Sequence, residues 1–297
     1  MVPSFELAEA LIARGADSAR IAIRKSESRD DTARRCAQIA PDGPLVPSVP
    51  FRFDDEIVIV LPTYNERQNL EAMIATIGQY IVADILVVDD NSPDGTGQLA
   101  DQLSHQHAHV YVLHRETKEG LGPAYVAGFQ WAMARTYRLI IEMDCDFSHA
   151  PWDVPRLVHR SHTADLVIGS RYVPGGGTEN WNRRRRLMSQ LGNRYVSLFL
   201  GTDIRDWTGG FRCYHRTLFA NMDWAGVKAK GYVFQVEMAW RVRQSGATIS
   251  EMPIRFSERR HGRSKLGWQS IIEAMTEVPR MHLQSLLNSG LKRQSPG

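Results

Sequence analysis

Cysteine is scarce in this 297-residue chain: Cys36, Cys145 and Cys213 are scattered and odd in number. No CxxC pair and no cysteine–histidine cluster at zinc spacing is present, which excludes a disulfide framework and gives no support to a zinc site. A reducing, cytoplasmic setting is expected. Long apolar runs are missing too. None approaches the ~20 residues that cross a bilayer, and residues 1–50 carry charges throughout, with no apolar core for a secretory signal. The sequence therefore predicts a protein that does not span a membrane. Charge of one sign is not in excess: 36 basic and 33 acidic side chains leave a formal net charge of +3, a total that demands no nucleic-acid partner. Hydrophobic residues make up 43% and charged residues 23%, a balance that excludes wholesale disorder. The length suffices for a core without staples.

Residues 1–50 differ from the rest. Residues 16–40 are rich in Arg, Asp, Ser and Ala with little apolar periodicity, and Pro41, Pro44, Pro47 and Pro50 form a stiff, turn-prone linker. This stretch is expected to be a disordered or weakly structured extension, with a regulatory or partner-binding role as the alternative. Residues 51–287 are expected to form the catalytic domain, and residues 288–297 a tail. Within the domain, β-branched runs at 56–61, 84–89, 110–113, 139–143 and 165–169 alternate with helix-like segments at 69–80, 97–106, 121–135 and 152–162. Such alternation predicts an α/β fold with a mostly parallel central sheet flanked by helices. Ligands of such sheets bind beyond the carboxyl ends of the strands.

The turn after the first strand reads Pro62-Thr63-Tyr64-Asn65-Glu66 and lacks the G-x-G-x-x-G of dinucleotide-binding dehydrogenases. After the second strand comes Asp89-Asp90-Asn91-Ser92-Pro93-Asp94-Gly95-Thr96. Its carboxylates suit base or ribose hydrogen bonds, and equally a helix cap followed by a turn. After the fourth strand comes Asp144-Cys145-Asp146-Phe147-Ser148-His149. Alternate residues of extended chain point the same way, so Asp144 and Asp146 address one site. Two hard oxygen donors suit Mg²⁺ or Mn²⁺ carrying a diphosphate. Alone an Asp-x-Asp is a weak signal; its position at a strand end gives it weight.

These three segments, in this order, resemble the inverting A-type glycosyltransferases of family 2, and more narrowly the dolichyl- or polyprenyl-phosphate mannosyltransferases. The likeness continues through Arg115 to Gly122, Gly169 to Tyr172, Thr208 to Arg212, Gly231 to Glu237 and Arg259 to Lys265, so it covers most of residues 56–268. Cys145 stands where such proteins often have alanine. The resemblance implies the Rossmann-like nucleotide-diphospho-sugar transferase (GT-A) fold. It also implies transfer of mannose from GDP-mannose to a polyprenyl phosphate with inversion, assisted by Mg²⁺ or Mn²⁺. Carried over by position, Pro62, Tyr64, Glu66, Val88, Asp90, Cys145 and Gln235 line the donor pocket. Asp144 and Asp146 hold the metal, and Arg259 and Lys265 meet the diphosphate. Arg171, Arg185, Ser189 and Arg212 are the candidates for the acceptor phosphate. Some proteins of this kind carry a C-terminal membrane hairpin; attachment here is expected to be peripheral, at the inner face of the membrane, with a membrane-anchoring partner protein as an open alternative.

The two basic clusters have readings of their own. Residues 255–265 form a basic, glycine-containing run that suits neutralisation of a diphosphate leaving group, or a solvated loop. Arg183 to Arg186 precede residues 187–200, where Leu187, Met188, Leu191, Tyr195, Leu198 and Phe199 recur at helical spacing. Cationic and apolar groups side by side suit a phosphate on an isoprenoid chain and an anionic membrane surface. An ordinary amphipathic core helix is the alternative. Arg185 and Ser189 lie one turn apart. No catalytic triad is evident, and an acceptor that is already anionic has little need of a general base. His149 reads as a structural hydrogen-bonder and His261 as a loop residue. Competing functions are a UDP-sugar-dependent transferase such as a polyprenyl-phosphate glucosyltransferase, a nucleotidyltransferase, and an anionic-surface binding module.

Overall fold

The computed structural model describes residues 35–36, 47–260 and 268–293. The elements run β1 (Ile57–Thr63), α1 (Arg67–Tyr80), β2 (Asp84–Asp89), α2 (Thr96–Gln106), β3 (Val110–His114), α3 (Leu121–Met133), β4 (Leu139–Glu142), α4 (Val154–Arg160), β5 (Leu166–Ser170), β6 (Gly177–Thr178), α5 (Arg183–Leu200), β7 (Arg212–His215), α6 (Val233–Gln244), β8 (Ile249–Pro253), β9 (Arg255–Phe256) and α7 (Trp268–Arg293). Seven strands form one sheet in the order β3-β2-β1-β4-β7-β5-β8. Only β7 is antiparallel to its neighbours, β4 and β5. The expected mostly parallel sheet is present.

The continuous apolar runs follow from burial on both faces. Along β1, Val58 and Val60 enter one core with Leu86, Val88, Tyr125 and Phe129. The intervening Ile57, Ile59 and Leu61 enter a second with Leu70, Met73, Ile74 and Ile85. Gly128 lets α3 lie close on the sheet, because a Cβ there would come within 2.5 Å of Val60 Cγ1. β7 carries Arg212-Cys213-Tyr214-His215, with no apolar run to announce a strand.

β6 and β9 form a separate parallel pair, which ties the chain leaving β8 to the loop before α5. α7 passes through Pro279 without ending and packs Val278 and Met281 into the first core; Trp240 Nε1 donates to Ser285 Oγ at 2.8 Å. Cys36, assigned by sequence to the extension, is buried beside Phe51, and its thiol lies 3.7 Å from the Pro155 carbonyl. Apart from Arg35 and Cys36, residues 1–46 lie outside the described residues. Among the described residues, no helix is long and apolar enough to cross a membrane.

Candidate active site

The three segments singled out by sequence meet at the carboxyl edge of β1, β2 and β4, where open α/β sheets bind ligands. Each turns sharply on a left-handed residue: Asn65 (φ 62°), Asn91 (φ 58°) and Phe147 (φ 64°). Asparagine tolerates this region. A bulky phenylalanine does so at a cost of about 1–3 kcal/mol, and Phe147 sits inside the acidic motif.

At the nucleotide end, Asp90 is buried and receives Arg115 Nη1 together with the backbone N–H groups of Glu119 (3.4 Å) and Gly120 (3.1 Å). Its neighbour Asp89 is spent on the turn, accepting from Ser92 Oγ at 2.6 Å and Thr63 Oγ1 at 3.1 Å. Tyr64 lies under Lys118, whose Nζ is 3.7 Å from the ring centroid. Glu66 accepts from Asn69 Nδ2 at 2.7 Å. Pro62 is partly exposed at the end of β1. The Val88 side chain belongs to the core and faces Gly128 of α3, which leaves its backbone to face a nucleotide.

Asp144 and Asp146 flank the buried Cys145. Burial and the neighbouring Asp146 charge push the Asp144 carboxyl above its usual value, against the pull of His149. Tyr125 OH donates to Asp144 Oδ1 at 3.3 Å. Asp146 Oδ1 accepts from both the N–H (3.0 Å) and the hydroxyl (2.6 Å) of Ser148, and Oδ2 pairs with Arg259 Nε at 3.0 Å. The Asp144 N–H donates to His149 Nδ1 at 3.0 Å, so that nitrogen carries no proton. Burial holds His149 below the usual imidazole range, a neutral, structural ring stacked on Phe211. Among the described residues no three acidic, cysteine or histidine side chains group around a metal. Two carboxylates completed by diphosphate oxygens and water are the usual Mg²⁺ arrangement. Asp144, raised by burial and by the second carboxylate, offers hard oxygen donors beside Asp146, so the donor set fits a divalent cation.

Beneath this pair lies a polar network of which sequence reading named Gln235 and Arg212 but not Glu142 or Tyr214. Glu142, fully buried, accepts from Tyr214 OH at 3.0 Å and from Gln235 Nε2. Burial pushes its carboxyl up to about 7. Gln235 is thereby fixed, and its Oε1 is buried without a hydrogen-bond partner. Arg212, expected at the acceptor phosphate, is enclosed by the protein. It is 0% exposed, and its guanidinium donates to the carbonyls of Gly209 (2.7 Å), Gln235 (2.8 Å) and Trp207 (3.0 Å). The missed partners are Glu142, at the end of the apolar β4 run, and Tyr214 of the short β7, which meet only through long-range pairing.

On the acceptor side, Asn182 caps α5 by accepting from the Arg185 N–H at 2.8 Å. Four arginines then occupy the first turn, where the helix dipole opposes positive charge. Arg185 lies over Trp181 at 4.0 Å and pairs with Glu258 at 3.4 Å. Ser189, one turn on, accepts from Tyr172 OH at 2.7 Å. Arg171 is buried, and its Nε and Nη2 grip Asp206 at 2.8 and 2.6 Å, so its charge is already matched. Burial acts to raise Asp206, but Arg171 holds it below the usual carboxylate range. The structure thus brings Asp144, Asp146, Arg259, Arg185 and Ser189 to one edge of the sheet and leaves Arg171 and Arg212 in its support. Lys265 and His261 lie outside the described residues.

Comparison with known proteins agrees with this geometry. A model of the family described as glycosyl transferase family 2 matches residues 58–222. The polyprenol monophosphomannose synthase of Mycolicibacterium smegmatis is 44% identical over 234 residues, 78% of this chain and 88% of that protein. The undecaprenyl-phosphate mannosyltransferase of Micrococcus luteus is 43% identical over 228 residues, 76% of this chain and 94% of that protein. Among solved structures, glucosyl-3-phosphoglycerate synthase from Mycobacterium tuberculosis, in complex with Mn²⁺, UDP-glucose and phosphoglyceric acid, superposes with a TM-score of 0.56 at 19% identity, covering 78% of this chain and 79% of that one. A mannosyltransferase from Pyrobaculum calidifontis in complex with GDP-mannose and Mn²⁺ gives 0.52 at 16% identity, covering 86% and 70%. These structures share the fold, and the family model together with the two sequence relatives shows the family: the chain belongs to glycosyl transferase family 2.

Proposed function

We propose that this protein transfers mannose from GDP-mannose to a polyprenyl phosphate, releasing GDP and forming a β-linked lipid-phosphate mannose. The observation that carries the reading is the placement of an acidic pair, Asp144 and Asp146, and an arginine on a helix start, Arg185, at the same sheet edge. Such a site receives a cation-bound diphosphate and a second, lipid-borne phosphate. The names of the two relatives above 40% identity support the sugar and the acceptor class.

In this account Asp90, Tyr64 and Glu66 bind the nucleoside, and Asp144 and Asp146 hold Mg²⁺ or Mn²⁺. The cation would supply charge stabilisation to the departing diphosphate. Arg259 is placed to share that task. Arg185 and Ser189 orient the acceptor phosphate. Its anionic oxygen forms the bond to mannose C1 as the C1–O bond to GDP breaks and the electron pair leaves with GDP. No proton need be removed from the nucleophile, so alignment and electrostatics carry the catalysis.

The acceptor's lipid chain has a matching surface. On α5, Leu187, Met188, Leu191 and Leu198 are exposed, Leu198 by 80%. These residues had the spacing of a core stripe, yet the helix buries Asn193, Val196 and Leu200 instead. α7, which packs beside α5, exposes Ile272, Met275, Leu283, Leu286 and Leu287. Arginines beside apolar side chains suit an anionic bilayer surface, and this face is where the protein meets the membrane in our reading. Incubation with undecaprenyl phosphate in detergent, Mn²⁺ and GDP-mannose should release GDP only when the lipid is present. UDP release from UDP-glucose in its place would move the donor assignment.

A further inference from the structure

Residues 258 and 259 carry opposite charges into the two halves of the site. Arg259 Nε lies 3.0 Å from Asp146 Oδ2, and Glu258 Oε1 lies 3.4 Å from Arg185 Nη1. The backbone on either side is fastened to the acidic loop: Ser257 N–H donates to the Ser148 carbonyl at 3.2 Å and Arg260 N–H to the Asp146 carbonyl at 3.1 Å. A guanidinium therefore rests on a carboxylate that a divalent cation would use, and a carboxylate rests on the arginine that an acceptor phosphate would use. Asp146 Oδ1 is already committed to Ser148, so an arriving cation meets Arg259 at Oδ2.

Resting on the function proposed above, we infer that Glu258 is an internal competitor for the acceptor phosphate, released when the cation-bound donor takes Asp146 from Arg259. Consecutive residues are 3.8 Å apart at Cα, so a backbone shift that opens the two hydrogen bonds to the acidic loop as Arg259 leaves Asp146 carries Glu258 with it. Donor binding then uncovers Arg185 and strengthens acceptor binding. The coupling is reciprocal, since each ligand strengthens the other by the same factor. Glu258 is 56% exposed in its side chain, and exposed pairs are weak. The effect is accordingly a tuning of affinity by about three- to fivefold rather than an on–off switch.

The test is equilibrium binding without turnover, using farnesyl phosphate as the probe and isothermal titration calorimetry as the readout. Glu258→Gln should bind farnesyl phosphate about three- to fivefold more tightly than the wild type when nucleotide and metal are absent. Saturating GDP with Mn²⁺ should tighten the wild type by a similar factor and leave the variant nearly unchanged. Equal affinities in the two proteins without nucleotide, or an equal gain in both on adding GDP and Mn²⁺, would overturn the role of Glu258. Absence of any mannosyl transfer by the wild type would instead overturn the reading of the site on which it rests.

Discussion

Arg259 Nε lies 3.0 Å from Asp146 Oδ2, so a carboxylate assigned to a divalent cation is already paired with a cation of the chain itself. Burial would lower the Arg259 guanidinium, but Asp146 and Asp144 hold it above its ordinary value. Arg259 thus stays charged at any working pH and remains available to a diphosphate once it leaves Asp146.

Asp146→Ala should reduce mannosyl transfer by at least about 100-fold, the scale of losing a preorganised electrostatic group, while the far-ultraviolet circular dichroism spectrum is kept. Near wild-type turnover in the folded variant would remove the metal role assigned to this residue.

Two arginines that look alike in sequence should behave oppositely. Arg185→Ala should raise KM for the lipid acceptor by about tenfold or more, as expected for a charge-assisted phosphate contact, with little change in Tm. Arg212→Ala should lower Tm sharply, because three buried carbonyls lose their donor. Thermal melts beside acceptor titrations separate the two.

Asp206→Asn leaves the buried Arg171 without its counter-charge and should cost about 3 kcal/mol or more, roughly a 6–12 °C fall in Tm for a domain of this size. Because the folded-state Asp206 carboxyl lies below its ordinary value of 3.8, its contribution is full above about pH 4. That contribution fades as the pH falls through the lower folded value. Denaturant melts at acid pH should therefore converge for the wild type and the variant.

Leu198→Asp together with Met188→Asp should weaken co-sedimentation with vesicles containing phosphatidylglycerol and leave Tm within a few degrees, since both side chains are already exposed. Unchanged sedimentation would place the membrane contact elsewhere.

The parallel half of the sheet was legible because strands buried on both faces must be continuously apolar. The site was legible wherever a carboxylate or turn follows such a strand, as with Asp90, Asp144 and Asp146. Burial was not legible. Arg171 and Arg212 sit in segments that resemble those of lipid-phosphate transferases, and nothing local says that Asp206 and a ring of carbonyls already use their donors. β7 was hidden for a related reason: Arg212 and His215 break the apolar run, and its pairing to β4 and β5 is long-range. The helical stripe of α5 was seen, but periodicity alone cannot distinguish a face that meets the core from one that meets a lipid.

The central claim is tested most directly by incubating the purified protein with radiolabelled GDP-mannose, undecaprenyl phosphate in detergent and Mn²⁺, with a parallel sample in EDTA, and counting label in the organic-extractable lipid. The account predicts lipid labelling that requires both the acceptor and the metal. No labelled lipid from GDP-mannose, under conditions where the protein is folded and binds GDP, would contradict it.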